Sequence, residues 1–321
     1  MDTKLLVPGA GNPASLLRRR LLLAAGAALT LAARAGRLRA APGDVITPAR
    51  SYMGARLLQR VNPAGMPEMR PDTFGSMTLF IFPMAVAATP MDLYIADLGL
   101  GGLLRYDPML DAMAVIPGVR VTQQTRIAAL PDGSVIVANG GAIPSRRFSR
   151  SGRPLQSLDS QLGSAFYDEV AVDPNSGRYY GMDRVQGRLE EIMPQGSGAT
   201  VLPPGLLPDL PQAMTMDNRR LYVAGRACGC VVGIDLFGNR GKEVVADDLG
   251  NVTALAASDG WLAVADGQER QLRLYREGIL RADPGFSELS LINPQGMTIF
   301  NHLLYVADPG GRRIASFRLR P

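Results

Sequence analysis

The chain has 321 residues, 46% of them hydrophobic and 20% charged, with a formal net charge of +5. Ordinary charged content with 36 Gly and 24 Pro excludes global disorder and calls for many turns. Two Cys cannot form a disulfide framework, one His excludes a site built on several imidazoles, and the basic balance leaves nucleic acid or a membrane surface open until the charges are located.

The first segment, residues 1–41, reads as an export signal. Arg18, Arg19 and Arg20 precede an apolar run from Leu21 to Ala33, and small residues follow near Ala40, Ala41 and Pro42. The run is 13 residues long, too short to span a bilayer as a helix. Paired arginines before Leu21 resemble a twin-arginine signal, although Leu17 and Arg18 stand where a Ser or Thr is expected, so the general secretory route stays open. This predicts a bacterial protein that is periplasmic or secreted, with no membrane span in the mature chain. Lys4 and six Arg against Asp2 give this segment a charge of +6, leaving −1 for the remainder. The basic balance therefore belongs to the signal, and nucleic-acid binding is not expected.

Residues 42–73 carry Pro42, Pro48, Pro63, Pro67 and Pro71 with little periodicity, which predicts a linker or a surface arm.

From residue 74 onward the chain repeats itself. Leu93-Tyr94-Ile95-Ala96-Asp97, Leu221-Tyr222-Val223-Ala224-Gly225, Leu262-Ala263-Val264-Ala265-Asp266 and Leu304-Tyr305-Val306-Ala307-Asp308 are close copies, with looser ones ending at Asn139 and Asp183. The copies end at 97, 139, 183, 225, 266 and 308, a period of 41 to 44 residues. Short strands at this fixed period predict the blades of a β-propeller. A run of small apolar residues precedes each copy, as at Ala85, Ile127, Val170, Met214, Ala254 and Met297, which suits innermost strands converging on a channel. A further strand follows five of the copies. The second departs, with Ser145 at an aliphatic position. The last copy lacks a fourth strand, so an N-terminal strand is expected to complete it, and residues 76–82, which align with 287–292, are the expected segment. The fold class predicted is all-β, a six-bladed propeller over residues 74–321.

Leu304-Tyr305-Val306-Ala307-Asp308 with Arg313, Ile314 and Phe317, and the lead-in Pro294-Gln295-Gly296-Met297, resemble the NHL repeat. The resemblance covers residues 74–321. It implies the propeller fold and no single activity, because that family and its relatives include protein-binding scaffolds, lactonases and lyases.

The repeated acids Asp97, Asp183, Asp266 and Asp308 read as architectural, since one per blade at one radius cannot converge, and an Asp ending a strand accepts N–H groups of the next turn. Better candidates are the residues entering each inner strand, which ring one channel mouth: Met84, Thr125 with Arg126, Asp168 with Glu169, Gln212, Thr253 and Gln295. Arg126, Asp168, Glu169, Gln212 and Gln295 are the candidate ligand-binding set, with an Arg126–Glu169 ion pair as the structural alternative. More distant relatives, the gluconolactonase and senescence-marker propellers, hold a divalent cation here with a Glu, two Asn and an Asp. That set does not map onto this chain: Met84 fills the first position, Asn251 lies two residues early, and only Asp168 or Glu169 is left as an anion. The lone His302 excludes the zinc site of the peptide-amidating lyases, and reads as a turn residue.

Cys228-Gly229-Cys230 opens a third strand. Residues two apart in a strand are roughly 6.5 Å apart, the upper limit for a bridge, so a disulfide and two free thiols both stay open. The loop 145–153 carries Arg146, Arg147, Arg150 and Arg153, a possible seat for an acidic polysaccharide or a solvated loop. These readings predict a binding or scaffold module for a protein partner or envelope glycan, with no cofactor. The alternative is a metal-dependent lactonase-like or lyase-like enzyme using calcium in the channel mouth.

Overall fold

A computed structural model describes residues 41–57, 77–140, 143–158, 167–192, 199–203, 205–218, 220–236 and 241–320. The export signal predicted over 1–41 lies outside them save for Ala41, as do residues 58–73 of the predicted linker or arm and 74–76 of the predicted propeller. No helix among the described residues is long and apolar enough to cross a membrane.

One short helical turn, α1 (Pro42–Val45), leads into β1 (Ile46–Tyr52) and β2 (Gly54–Leu57), and β3 (Met77–Leu79) precedes the first repeat. Blade 1 is β4 (Pro83–Ala88), β5 (Leu93–Asp97), β6 (Gly102–Asp107) and β7 (Ala112–Ile116). Blade 2 is β8 (Arg126–Ala129), β9 (Val135–Ala138), β10 (Arg146–Phe148) and β11 (Pro154–Ser157). Blade 3 is β12 (Glu169–Val172), β13 (Tyr179–Asp183), β14 (Arg188–Ile192) and β15 (Ala199–Val201). Blade 4 is β16 (Pro211–Asp217), β17 (Arg220–Gly225), β18 (Cys230–Asp235) and β19 (Lys242–Ala246). Blade 5 is β20 (Val252–Ser258), β21 (Trp261–Asp266), β22 (Gln271–Arg276) and β23 (Ile279–Ala282), and blade 6 begins with β24 (Gly296–Phe300), β25 (Leu303–Asp308) and β26 (Arg313–Leu319). The chain is all-β and folds as a six-bladed propeller.

The fourth place in blade 6 is taken by β1, antiparallel to β26, with Ile46 opposite Leu319 and Tyr52 opposite Ile314. This corrects the expectation for residues 76–82. Of these, β3 pairs instead with β2, which lies parallel to β7 and extends blade 1 outward. It also places 46–57 in sheets rather than in a linker. Pro48 is compatible with β1 because an edge strand has one hydrogen-bonding side to spare, and the register shifts between Pro48 and Arg50.

Six apolar clusters fill the wedges between neighbouring blades. One of them joins Ile95, Leu104 and Tyr106 of blade 1 to Tyr305, Ala307 and Ile314 of blade 6, so the ring is packed across its closure. Alternating strand residues face opposite neighbours, which is why the middle strands are apolar on both faces. Each inner strand pairs on one side only, so its free backbone edge faces the axis. There Val86, Ile127, Val170, Met214, Leu255 and Met297, one from each blade, form an apolar girdle shared by two cavities. The cavity at the starts of the inner strands holds about 50 Å³, and the one at their ends about 150 Å³.

Candidate functional site

The small cavity is the mouth anticipated from the sequence. Arg126, Glu169, Thr253 and Gln295 line it above the girdle, whereas Asp168 and Gln212 do not. Arg126 and Glu169 open the inner strands of adjacent blades, so the radial geometry brings their side chains together. Arg126 Nε donates to Glu169 Oε1 at 2.9 Å, and Arg126 Nη1 donates to the Thr125 carbonyl at 3.1 Å. Arg126 Nη2 has no partner among the described residues.

Glu169 is only 4% exposed. Burial pushes its carboxyl above the ordinary value, and Arg126 and Arg184 pull in the opposite direction without cancelling the rise. Arg184 Nη2 stands 3.7 Å from Glu169 Oε1. The Arg184 backbone N–H donates to Asp168 Oδ2 at 2.7 Å, so Asp168 caps the turn after β13 rather than facing the channel. Arg184 lies outside the strand entries, in the turn after β13. Its signal was a cation directly after an anchor residue, where blades 1, 2, 5 and 6 have Leu98, Gly140, Gly267 and Pro309.

Amide pairs flank this lining, and of their members only Gln295 is part of it. Gln212 Nε2 donates to Asn251 Oδ1 at 3.0 Å, and Gln295 Nε2 to Asn293 Oδ1 at 2.8 Å. Thr253 Oγ1 donates to the Pro294 carbonyl at 2.8 Å, bridging blades 5 and 6. Two other mouth candidates are structural. Met84 is buried, and Thr125 is buried with its hydroxyl donating to Asn139 Oδ1 at 2.6 Å. Asn139 and Thr125 together fill the place that an aspartate holds in blades 1, 5 and 6.

Those aspartates are fully buried anchors. Asp97 accepts the N–H groups of Ile81, Phe82 and Leu100, and Asp308 those of Ile292 and Asn293. Each one ties the loop entering its own inner strand to the end of the second strand. Asp183 instead accepts the Gln186 N–H within its own turn, at 2.9 Å.

Cys228 and Cys230 are bonded, with sulfurs 2.01 Å apart and Cα atoms 5.1 Å apart, in the turn after β17. Gly229 between them sits at φ +55°, and a Cβ there would meet the Leu249 carbonyl oxygen at 2.7 Å. The Arg-rich loop is half used internally. Arg150 holds the buried Asp92 through Nε at 2.6 Å and Nη2 at 3.2 Å, and Arg147 pairs with Asp132, leaving Arg146 and Arg153 exposed. His302 lies at φ +58° beside Asn301 at +51° in the β24–β25 turn, where two positive φ values suit a tight hairpin.

No protein-family model matches the chain, and no curated protein matches it in sequence. Solved structures do match in fold. Virginiamycin B lyase from Staphylococcus aureus aligns at 11% identity over 76% of this chain and 97% of its own, with a TM-score of 0.56. A gluconolactonase from Xanthomonas campestris aligns at 12% identity over 85% of this chain and 99% of its own, with a TM-score of 0.56. A chain of a nidogen–laminin complex aligns at 17% identity over 68% and 85%, with a TM-score of 0.53. These are six-bladed propellers, and at such identities the likeness is one of fold.

Proposed function

We propose that this chain is an exported, NHL-like propeller that binds a protein partner or an envelope glycan at the channel mouth. The observation that carries the reading is the state of the mouth's charged groups. Glu169 is engaged by Arg126 and approached by Arg184, while Arg126 lines the cavity and its Nη2 has no partner among the described residues. A guanidinium edge beside hydrogen-bonding amides recognises a carboxylate, through charge-assisted bonds that exclude neutral isosteres. Both partner classes present that group, as an acidic side chain or as a uronic acid. Two guanidiniums at Glu169 disfavour a divalent cation on the same carboxylate, so the donor set does not fit the calcium of the alternative reading. The nidogen–laminin match is consistent with a binding role for this fold and does not specify one here.

The test is an affinity screen of the purified chain against acidic peptides and uronic-acid oligosaccharides, alongside their amidated or reduced counterparts. A carboxylate-dependent binder from one of the two panels is expected, weakened at least about tenfold in Arg126→Met. Retained affinity in that variant overturns the reading. So does stoichiometric calcium lost in Glu169→Gln together with turnover of a lactone panel, which would establish the enzyme instead.

A further inference from the structure

In five blades the residue ending the second strand is Asp or Asn: Asp97, Asn139, Asp183, Asp266 and Asp308. In blade 4 it is Gly225. A Cβ at Gly225 would lie 2.6 Å from the Pro208 Cβ and 2.9 Å from the Cys228 sulfur, so an anchoring side chain is sterically excluded. The turn that follows is closed covalently, by Cys228 and Cys230. The two cysteines are unequally placed, since Cys228 is an exposed residue and Cys230 is 5% exposed.

The bridged turn also touches both sides of one mouth contact. The Arg226 N–H donates to the Leu210 carbonyl at 3.0 Å, and Leu210 stands two residues before Gln212. The Leu249 N–H donates to the Gly229 carbonyl at 2.9 Å, and Leu249 stands two residues before Asn251. Gln212 and Asn251 are an amide pair flanking the mouth, Gln212 next to the lining residue Ala213. The turn therefore sets the approach of each amide from its own side.

We propose that Cys228–Cys230 is a reversible thiol–disulfide exchange site whose redox state controls the order of the Gln212–Asn251 side of the mouth. The reductant is an external dithiol. Its thiolate attacks the sulfur of the more exposed residue, Cys228, the S–S bond breaks, and Cys230 leaves as a thiolate that takes a proton from solvent. The reductant's second thiol then attacks the mixed disulfide and releases Cys228. Two electrons pass from the dithiol to the protein, and the reductant becomes a disulfide. Opening frees Gly229 from the short ring and loosens its bond to Leu249. The propeller persists, because the same loop is also held by Asp266 through the Gly250 and Asn251 N–H groups and by Arg273 through the Asp247 and Asp248 carbonyls.

The experiment treats the purified oxidised chain with dithiothreitol at about pH 8, without denaturant, then alkylates it and weighs it. Two alkyl groups per chain are expected, none without the reductant. Hydrogen exchange on the reduced sample should accelerate at least about tenfold at the Arg226 and Leu249 amides. The Ile81, Phe82, Ile292 and Asn293 amides, held by Asp97 and Asp308, should keep their rates. Cys228→Ser with Cys230→Ser should reproduce the reduced pattern without any reagent. Thiols already free in the oxidised preparation, or a bridge that yields only to denaturant, overturn the proposal. So does reduction that leaves Leu249 unchanged, or one that accelerates exchange in every blade, which would make the bridge a fold-wide brace.

Discussion

Blades 4 and 5 stand side by side and secure the same turn by different chemistry. In blade 5 the Asp266 carboxylate accepts the N–H groups of Gly250 at 2.7 Å and of Asn251, Gln268 and Glu269 at 3.1 Å. One side chain thus joins the loop entering the blade, the end of β21 and the turn beyond it. In blade 4 the bridge joins two residues of a single turn, and the entering loop is held by backbone bonds from Arg226 and Ala227 to Leu210 and Asp209 and by Lys242 on the Gly205 carbonyl, with no carboxylate anchor. The aspartate spans segments far apart in sequence, whereas the disulfide constrains a loop of three residues whose closure was never entropically expensive. The covalent bond is therefore the weaker contributor to folding.

The largest expected effect follows from that difference. Asp266→Ala removes the acceptor for four N–H groups at a buried position and should cost about 3–5 kcal/mol in urea unfolding. Asp266→Asn keeps one acceptor oxygen and should lose roughly half as much. Burial tends to raise the Asp266 carboxyl, yet the four backbone N–H bonds outweigh it and hold the group below its ordinary value. A carboxyl lowered on folding contributes stability above its unfolded pKa of about 3.9 and loses it as pH falls through the folded value. The gap between wild type and Asp266→Asn should therefore narrow below about pH 4.

Removing the bridge with Cys228→Ser and Cys230→Ser should cost less, about 1.5 kcal/mol by the loop-closure relation for so short a ring. A loss as large as that of Asp266→Ala would show that the bridge holds more than its own turn.

The same pair of turns marks how far the sequence could be read. The period and the anchor aspartates were legible because blades 1, 5 and 6 each carry the same carboxylate-to-backbone bonds at the same place in the repeat, so they recur at a fixed spacing. The Arg126–Glu169 pair was legible for a related reason, since both residues open inner strands of neighbouring blades. The closing strand β1 was not. Its sequence, Ile46 to Tyr52, exposes most of its side chains at a sheet edge and contains Pro48, so no alternating pattern marks it. Nor was the role of Asn139 with Thr125, where a hydroxyl and an amide from two segments replace one carboxylate and neither residue alone carries the signal. Arg184 sits in the turn after β13 and folds back on the entry of its own blade, the place where the other blades carry no partner carboxylate, so the repeat pattern does not mark it.

The smallest expected effect comes from the opposite end of blade 4, where Asp217 closes β16. Its Oδ2 accepts the Gly260 N–H at 2.8 Å, across to blade 5, where the Asp259 N–H also supports the carboxyl. Burial raises this carboxyl, the Gly260 N–H offsets part of the rise, and the nearby Asp259 charge adds to it. A carboxyl raised on folding contributes most below its unfolded pKa of about 3.9, and that contribution is lost as pH rises through the folded value. Asp217→Asn keeps an acceptor for Gly260 and removes the buried charge, so its stability at neutral pH should lie within about 0.5 kcal/mol of wild type or slightly above it. Relative to wild type the variant should improve as pH rises above about 4 and Asp217 gives up its proton. Urea midpoints measured for Asp217→Asn and Asp266→Asn across that range should therefore diverge, since one aspartate is held charged by four backbone donors and the other is buried with too few of them. Parallel profiles would mean that the number of donors at each turn does not decide the sign.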